Sequence, residues 1–352
     1  MNDLYLNHNS TDIYYMTLAI NQAKKAIYTT RPNPAVGCIL VKDNMIIGEG
    51  FTSPVGGNHA EINALNHAKN NHHQVNDSTA YVTLEPCSHY GKTPPCSKAI
   101  IEAGIKRVVI AGLDPNPKVA GRGVKMLQDA GVNVTTGLLS DQAEQLNKGF
   151  LKAMRIGMPY VRLKIATSLD GKTAMASGES KWITGVEARE DVQKIRALSG
   201  AIITGSQTVI DDNPNLNVRS NQLGIDVNEI PQPKIAVLDR RNRLSDKTDY
   251  KICKNENTIF CHDDDLKQLL SDLVTQYQIY DVMVEAGSKV VGSFIKQDLI
   301  DELVVYQAPC LLGADARTMA DFKINHLSGQ KRFKLVSHET MGNDLKLVFT
   351  KQ

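Results

Sequence analysis

Ala80-Tyr81-Val82-Thr83-Leu84-Glu85-Pro86-Cys87-Ser88-His89-Tyr90-Gly91-Lys92-Thr93-Pro94-Pro95-Cys96 is the stretch on which the fold of this chain turns. Ala80 to Leu84 reads as a short buried strand, Glu85-Pro86-Cys87 as a turn, and Lys98 to Ala103 as a helix. A strand that passes through a turn into a helix is the repeating unit of an α/β fold. The alternation continues outward on both sides. Upstream, Asp12 to Tyr28 has the apolar face of an amphipathic helix and is stopped by Arg31-Pro32-Asn33-Pro34. Ala35 to Val41 and Met45 to Phe51 follow as a hairpin across Lys42-Asp43-Asn44, and Glu61 to Lys69 as a helix. Downstream, Arg107 to Ala111 predicts a strand, Gly123 to Ala130 a helix and Val132 to Thr135 a strand. Helical periodicity then runs from Asp141 to Arg155.

The 352 residues are enough for about two domains. A second α/β pattern begins near Met158-Pro159-Tyr160, and we set the boundary at 147/148. Strands are expected at Val161 to Ala166, Ala201 to Thr204, Ile235 to Leu238, Asp281 to Glu285, Leu303 to Ala308 and Leu345 to Thr350. Helices are expected at Val186 to Leu198, Leu266 to Gln276 and Val290 to Lys296. The fold class is therefore α/β in both halves, with mostly parallel sheets.

Lys and Arg number 40 and Asp and Glu 38, a net charge of +2, which argues against a dedicated nucleic-acid binder. A small pocket for one phosphate remains compatible with it. No stretch approaches the roughly 18 apolar residues of a membrane helix. The N-terminus lacks a basic segment followed by an apolar one, so no secretory signal is read and a cytoplasmic location is expected. In such a reducing compartment the six cysteines are expected as metal ligands or free thiols. Homo-oligomerisation is compatible with the sequence, symmetric assemblies being common.

His59-Ala60-Glu61, Cys87 and Cys96 carry the sharpest chemistry. One imidazole and two thiolates suit Zn2+, with a fourth tetrahedral position left for water. Glu61, two residues from His59 at a helix start, reaches that water without ligating the metal, and a carboxylate there serves as proton shuttle. This resembles the zinc-deaminase signature His-x-Glu with Pro-Cys, except that eight residues rather than two separate the cysteines.

The insert carries a closer resemblance. Glu85-Pro86-Cys87-Ser88-His89, Gly91-Lys92-Thr93-Pro94-Pro95-Cys96, Asn33-Pro34-Ala35-Val36-Gly37 and the Asp114 to Gly123 segment are similar to the deaminase of riboflavin biosynthesis. The resemblance implies a cytidine-deaminase-like three-layer domain whose substrate site includes Asn33, His89 and Lys92. An amide suits a pyrimidine edge and a cation suits a ribotide phosphate. Thr52 stands where that family commonly has a His, which removes a titratable group from that position.

In the second half, Lys164 to Lys172, containing Ser168-Leu169-Asp170-Gly171, resembles the dihydrofolate-reductase-like fold. Trp182, the only tryptophan, lies in a polar stretch where its ring has a face to stack. Thr204 to Pro214 is a small-residue turn after a strand, and Glu285 to Ser293 is a glycine-containing turn opening a helix, suited to a pyrophosphate. Cys253, Cys261 and His262 have no zinc spacing and read as structural.

From about Pro159 onward these segments are similar to the reductase that acts next in the same pathway. The resemblance implies ribotide contacts at Ser180, Arg196, Leu216, Arg219 and Glu285. It implies NADPH contacts at Ala166, Trp182, Thr208 and Asp212, and along Gly287, Ser288, Lys289, Val290, Val291, Gly292 and Ser293. Arg240 replaces a small residue common in that family and offers a cation for a 2′-phosphate. The expected function is a bifunctional enzyme of riboflavin biosynthesis: zinc-dependent deamination of a diaminopyrimidine ribotide, then NADPH reduction of its ribosyl chain. No residue of the sequence stands out as proton donor for the second step: the ring-opened imine can itself supply much of the activation, and Glu285 is no more than one candidate. The rival readings are a nucleic-acid base deaminase with an accessory α/β domain, and a non-catalytic nucleotide sensor retaining zinc for folding. The even charge balance and the long inter-cysteine loop oppose the first, and Glu61 opposes the second.

Overall fold

The structure is a computed structural model that describes residues 10–90, 94–116, 119–244 and 249–352. Contacts divide the chain into two compact units, 1–156 and 157–352. In the first, the elements are α1 (Ser10–Lys24), β1 (Gly37–Lys42), β2 (Met45–Phe51), α2 (Ala60–Asn70), β3 (Thr79–Leu84), α3 (Cys96–Glu102), β4 (Arg107–Gly112), α4 (Arg122–Asp129), β5 (Asn133–Thr136), α5 (Ser140–Leu146) and α6 (Lys148–Ile156). The division falls at 156/157 rather than at the expected 147/148. The physical reason is α6, which buries Leu151 and packs Phe150 against the core of the first unit.

The five strands run in the order β2-β1-β3-β4-β5. The β1–β2 hairpin and the β1–β3 pairing are antiparallel, while β3, β4 and β5 are parallel. Side chains alternate across the sheet, so each strand feeds two cores. Cys38, Leu40, Val82, Val108 and Ile110 meet Ala60, Ala64, Ile100 and Leu127 of α2, α3 and α4 on one face. Ile39, Val41, Tyr81 and Val109 meet Met16, Ala19 and Ala143 of α1 and α5 on the other. The result is the three-layer arrangement expected from the sequence. Parallel β3 and β4 deliver their C-terminal ends, residues 84–87 and 112–114, to one edge of the sheet.

The second unit contains β6 (Tyr160–Ser168), β7 (Lys172–Ala174), α7 (Val186–Leu198), β8 (Ala201–Gly205), α8 (Ser206–Asp212), β9 (Lys234–Leu238), β10 (Thr258–Cys261), α9 (Leu266–Thr275), β11 (Asp281–Val284), α10 (Ser288–Lys296), β12 (Glu302–Ala308), β13 (Arg317–Thr318), β14 (Phe333–Met341) and β15 (Asp344–Lys351). Its main sheet has the order β10-β9-β8-β11-β6-β12-β15-β14. The first six strands are mutually parallel, and β15 and β14 close the sheet antiparallel. Val161, Leu163, Ile203, Val282 and Val284 pack on Leu270, Leu273 and Phe294, while Ile202, Ile235, Met283 and Tyr306 pack on Val192 and Ile195. The parallel strands are near-continuous apolar runs because both faces are covered.

Candidate active site

The metal-type centre sits where β3 and two helix starts meet. His59 is the extended residue that caps α2, Glu61 lies in its first turn, and Cys96 opens α3. The ligand atoms of His59, Cys87 and Cys96 all lie within 4.8 Å of one another. Cys87 Sγ and Cys96 Sγ are 3.6 and 3.4 Å from His59 Nδ1. A tetrahedral zinc with Zn–S near 2.3 Å and Zn–N near 2.0 Å sets its N and S ligands about 3.5 Å apart. One imidazole and two thiols at that spacing, with no fourth protein ligand among the described residues, fit an open zinc site. Across the eight-residue insert, the Cys96 backbone N–H donates to Cys87 Sγ at 3.3 Å, so the longer loop still returns the second thiol to the first.

Electrostatics agree with a site built for a cation. The hydrogen bond from the Cys96 thiol draws the Cys87 thiol well below its usual range, while the Cys96 thiol, which keeps the proton of that bond, is raised. A bound divalent cation deprotonates such thiols outright. Its hydrogen bond to Cys87 raises the His59 imidazole. Glu61 is 4% exposed, and burial pushes its carboxyl up to about 7. A cation beside it opposes that shift and favours the carboxylate.

Glu85, quoted above only as part of a motif, holds the ligand loop. Its buried carboxylate accepts backbone N–H bonds from Asp114 (3.3 Å), Gly121 (3.0 Å), Gly123 (2.9 Å) and Val124 (3.2 Å). This stitches the turn before Cys87 to the start of α4, where a carboxylate is favoured. Gly123 is required there, since a Cβ would lie 2.1 Å from Pro86 O. The Asp114 to Gly123 similarity thus acquires a structural cause. Asp114 itself is largely buried, and desolvation raises it to about 6.

Asn33 is half-buried and its amide makes no hydrogen bond among the described residues. His89 is exposed near Asp114, and Lys92 lies outside the described residues. Thr52 is 3% exposed and braces β1: its Oγ1 accepts from Val36 N at 3.0 Å and its N–H donates to Val36 O at 3.0 Å. All six cysteines are free, and Cys38 is fully buried.

The second unit has a cavity of about 1140 Å³ along the C-terminal ends of its parallel strands. Ser180, Arg196, Leu216, Arg219 and Glu285 line it, as do Ala166, Trp182, Thr208, Asp212, Gly287, Ser288, Lys289 and Val290. Val291, Gly292 and Ser293 do not. Val291 is in the core, a Cβ on Gly292 would strike Asp321 O, and Ser293 bonds back to Lys289 O. The turn of a helix that leaves the cavity carries these three away from it. The first turn of α10 faces the cavity, and Gly287 N donates to Thr208 Oγ1 at 3.3 Å, locking it against α8.

Glu285 accepts from Arg196 Nε (3.0 Å), Arg196 Nη2 (3.1 Å) and Lys164 Nζ (3.3 Å). Burial opposes its charge, but these two cations overcome it and hold the carboxyl down at about 2. Glu285 therefore stands as a carboxylate at neutral pH rather than as the acid expected for a proton donor. Ser180 Oγ donates to Asp212 Oδ1 at 3.2 Å, and Arg189 stacks on Trp182, its Cζ 4.4 Å from the ring centre. Lys164 was not singled out from the sequence. Its position two residues before Ala166 on β6, on the same strand face, was the available signal.

Fold and geometry together define a two-domain protein that joins a deaminase-type zinc centre to a reductase-type cavity. The comparisons agree. Residues 9–112 match the cytidine and deoxycytidylate deaminase zinc-binding region, and residues 159–347 match the RibD C-terminal domain. The riboflavin biosynthesis protein RibD of Haemophilus influenzae is 46% identical, covering 98% of this chain and 99% of that protein. A solved structure of Acinetobacter baumannii RibD is 49% identical, with a TM-score of 0.93 over 97% of this chain and 99% of its own. A diaminohydroxyphosphoribosylaminopyrimidine deaminase/5-amino-6-(5-phosphoribosylamino)uracil reductase from Thermotoga maritima is 33% identical, with a TM-score of 0.88 over 97% and 99%. The chain belongs to the RibD family of riboflavin biosynthesis proteins.

Proposed function

We propose that this chain performs two consecutive steps of riboflavin biosynthesis. The first unit hydrolyses the 2-amino group of 2,5-diamino-6-ribosylamino-4(3H)-pyrimidinone 5′-phosphate. The water oxygen becomes a ring carbonyl and the nitrogen leaves as ammonia. The second unit uses NADPH and a proton to reduce the ribosyl chain, giving 5-amino-6-(5-phosphoribitylamino)uracil. The observation that carries this reading is the buried Glu61 carboxylate beside the His59, Cys87 and Cys96 triad, on a chain that also bears the second cavity.

His59, Cys87 and Cys96 would hold the zinc, which would supply a water acidified to a pKa of about 7. Glu61 carries a proton from the attacking water to the departing amine. Asn33 addresses the pyrimidine edge, with His89 and Lys92 at the rest of the substrate. In the second unit Ser180, Arg196, Leu216 and Arg219 seat the ribotide, and Glu285, fixed as a carboxylate, accepts hydrogen bonds from it. Ala166, Trp182, Thr208, Asp212 and the first turn of α10 would bind NADPH, the N-terminus of that helix being suited to a pyrophosphate, and the cofactor would supply the hydride. Val291, Gly292 and Ser293 act by holding that helix.

We place the enzyme in the cytoplasm, acting on small molecules; no described helix is long and apolar enough to cross a membrane. The test is purified protein with the diaminopyrimidine ribotide and NADPH, following ammonia and NADPH absorbance together. One ammonia released per NADPH oxidised is expected. Deamination of single-stranded DNA or tRNA without turnover of the ribotide overturns the reading.

A further inference from the structure

Gln193 is a buried polar side chain on the wall of the second cavity that the reductase reading leaves unused. Resting on the seating of the ribotide in this cavity, we propose that Gln193 is a further substrate-binding residue. Its side-chain amide donates to the 5′-phosphate, beside Arg196 and Arg219.

Helical spacing places the side chain. Arg189, Gln193 and Arg196 recur on one face of α7, and all three line the cavity. Gln193 is only 4% exposed, so bulk water does little to satisfy its amide. Its Oε1 accepts from the Arg219 backbone N–H at 3.0 Å. A backbone N–H can only donate, so this bond fixes which end of the amide is the oxygen. The amide nitrogen is the end left over, and among the described residues it has no partner. A buried N–H group without an acceptor is costly, and the open space beside this one is the cavity.

The segment that faces Gln193 is held firmly. Leu216, Val218 and Ser220 are buried, and Arg219 is exposed between them. Gln232 clips this segment at both polar groups of Val218, accepting from its N at 2.9 Å and donating to its O at 3.2 Å. Ser220 donates to Glu190. Two guanidinia converge on Asn217: Arg196 Nη1 donates to its O at 3.2 Å, and Arg219 Nη1 approaches its Oδ1 at 3.4 Å. Arg219 makes no ion pair among the described residues, so most of its donors are free.

The charge in this corner identifies the acceptor. Lys164 and Arg196 both pair with Glu285, and Arg219 adds a third cation beside them. Three cations around one carboxylate leave two positive charges over. A phosphate monoester carries nearly two negative charges at neutral pH and several strong acceptor oxygens. It matches both the excess charge and the unused amide. A neutral donor also has a place that a third guanidinium lacks. It adds a bond to the phosphate without adding to the repulsion between Arg196 and Arg219.

The test is steady-state NADPH oxidation by the full chain on the deaminated ribotide, with inorganic phosphate as probe of the subsite. Gln193→Glu keeps the acceptor for Arg219 N and replaces the donor with an anion. Its KM for the ribotide is expected to rise at least about tenfold, the loss of a hydrogen bond to a charged group, with kcat and the KM for NADPH within about threefold. The inhibition constant of phosphate, competing with the ribotide, should rise in parallel. Gln193→Met, which removes both bonds, should show the same split, and should still raise KM at least about threefold in an Arg219→Ala chain. Unfolding midpoints close to that of the unvaried chain confirm that the variants fold. An unchanged KM in Gln193→Glu, or a raised KM with phosphate inhibition untouched, overturns the inference alone. So does a Met substitution without effect once Arg219 is Ala, since Gln193 would then act only by supporting Arg219. Absence of NADPH oxidation in the unvaried chain overturns the seating of the ribotide and the inference with it.

Discussion

The metal centre and the second cavity are built on opposite plans. Three ligand atoms lie within 4.8 Å, delivered by one strand end and two helix starts. The cavity instead draws its wall from segments between Lys164 and Asp321, along the ends of several parallel strands. A small ion is held by a few bonds at fixed length, so each ligand is indispensable. A ribotide and a dinucleotide are held by many weaker contacts, so removal of one is graded. The comparison predicts all-or-none behaviour at the first site and partial losses at the second.

The sharpest way to break it is Cys96→Ala. The account expects zinc, by elemental analysis, to fall from one per chain to near zero and ammonia release to fall at least about a thousandfold. NADPH oxidation on the already deaminated ribotide should persist, because the second unit has its own cores. Loss of both activities would show that the sites are not separable.

Glu285→Gln should have a smaller, two-part effect. It leaves Arg196 and Lys164 facing a neutral amide, costing about 3 kcal/mol in urea unfolding at pH 7 and weakening ribotide binding. The pH dependence has a definite sign. A carboxyl lowered from 4.5 to about 2 contributes stability that is fully present above about pH 4.5 and is lost as pH falls through 2. That acid-range loss should be present in the unvaried chain and missing from the variant. Identical stability profiles from pH 5 to 2 would remove the Glu285 ion cluster from the account.

Most of this architecture was legible, for identifiable reasons. The alternation of short apolar runs and helical periods is local, and β3, β4, α2 and α7 fall where their patterns put them. The cluster of His59, Cys87 and Cys96 was legible because a metal site restricts residue type and spacing. The seam at 156/157 was not, because α6 looks like a connector until Leu151 is seen in the first core. Strand β14 was missed because most of its side chains are exposed and carry no burial pattern. The roles of Glu85 and Lys164, and the ionised state of Glu285, depend on partners far off in sequence. In Gly287 to Ser293 the resemblance gave a continuous segment, but α10 leaves the cavity after its first turn, so Gly287 to Val290 line it and Val291, Gly292 and Ser293 do not.

Thr52→Val should give the smallest effect. It removes the acceptor for Val36 N without touching the metal ligands, so about 1 to 2 kcal/mol of stability and a few degrees in Tm are expected, with zinc content retained. Loss of zinc in this variant would mean that Thr52 reaches the metal centre.

The most direct test of the central claim is Glu61→Gln, assayed for both reactions with zinc content confirmed at one per chain. Ammonia release from the diaminopyrimidine ribotide should fall at least about a hundredfold, the contribution of a positioned proton carrier. NADPH oxidation on the deaminated ribotide should match the unvaried chain. Ammonia release that survives the substitution, or NADPH oxidation that disappears with it, would contradict a chain whose two sites work by separate chemistry.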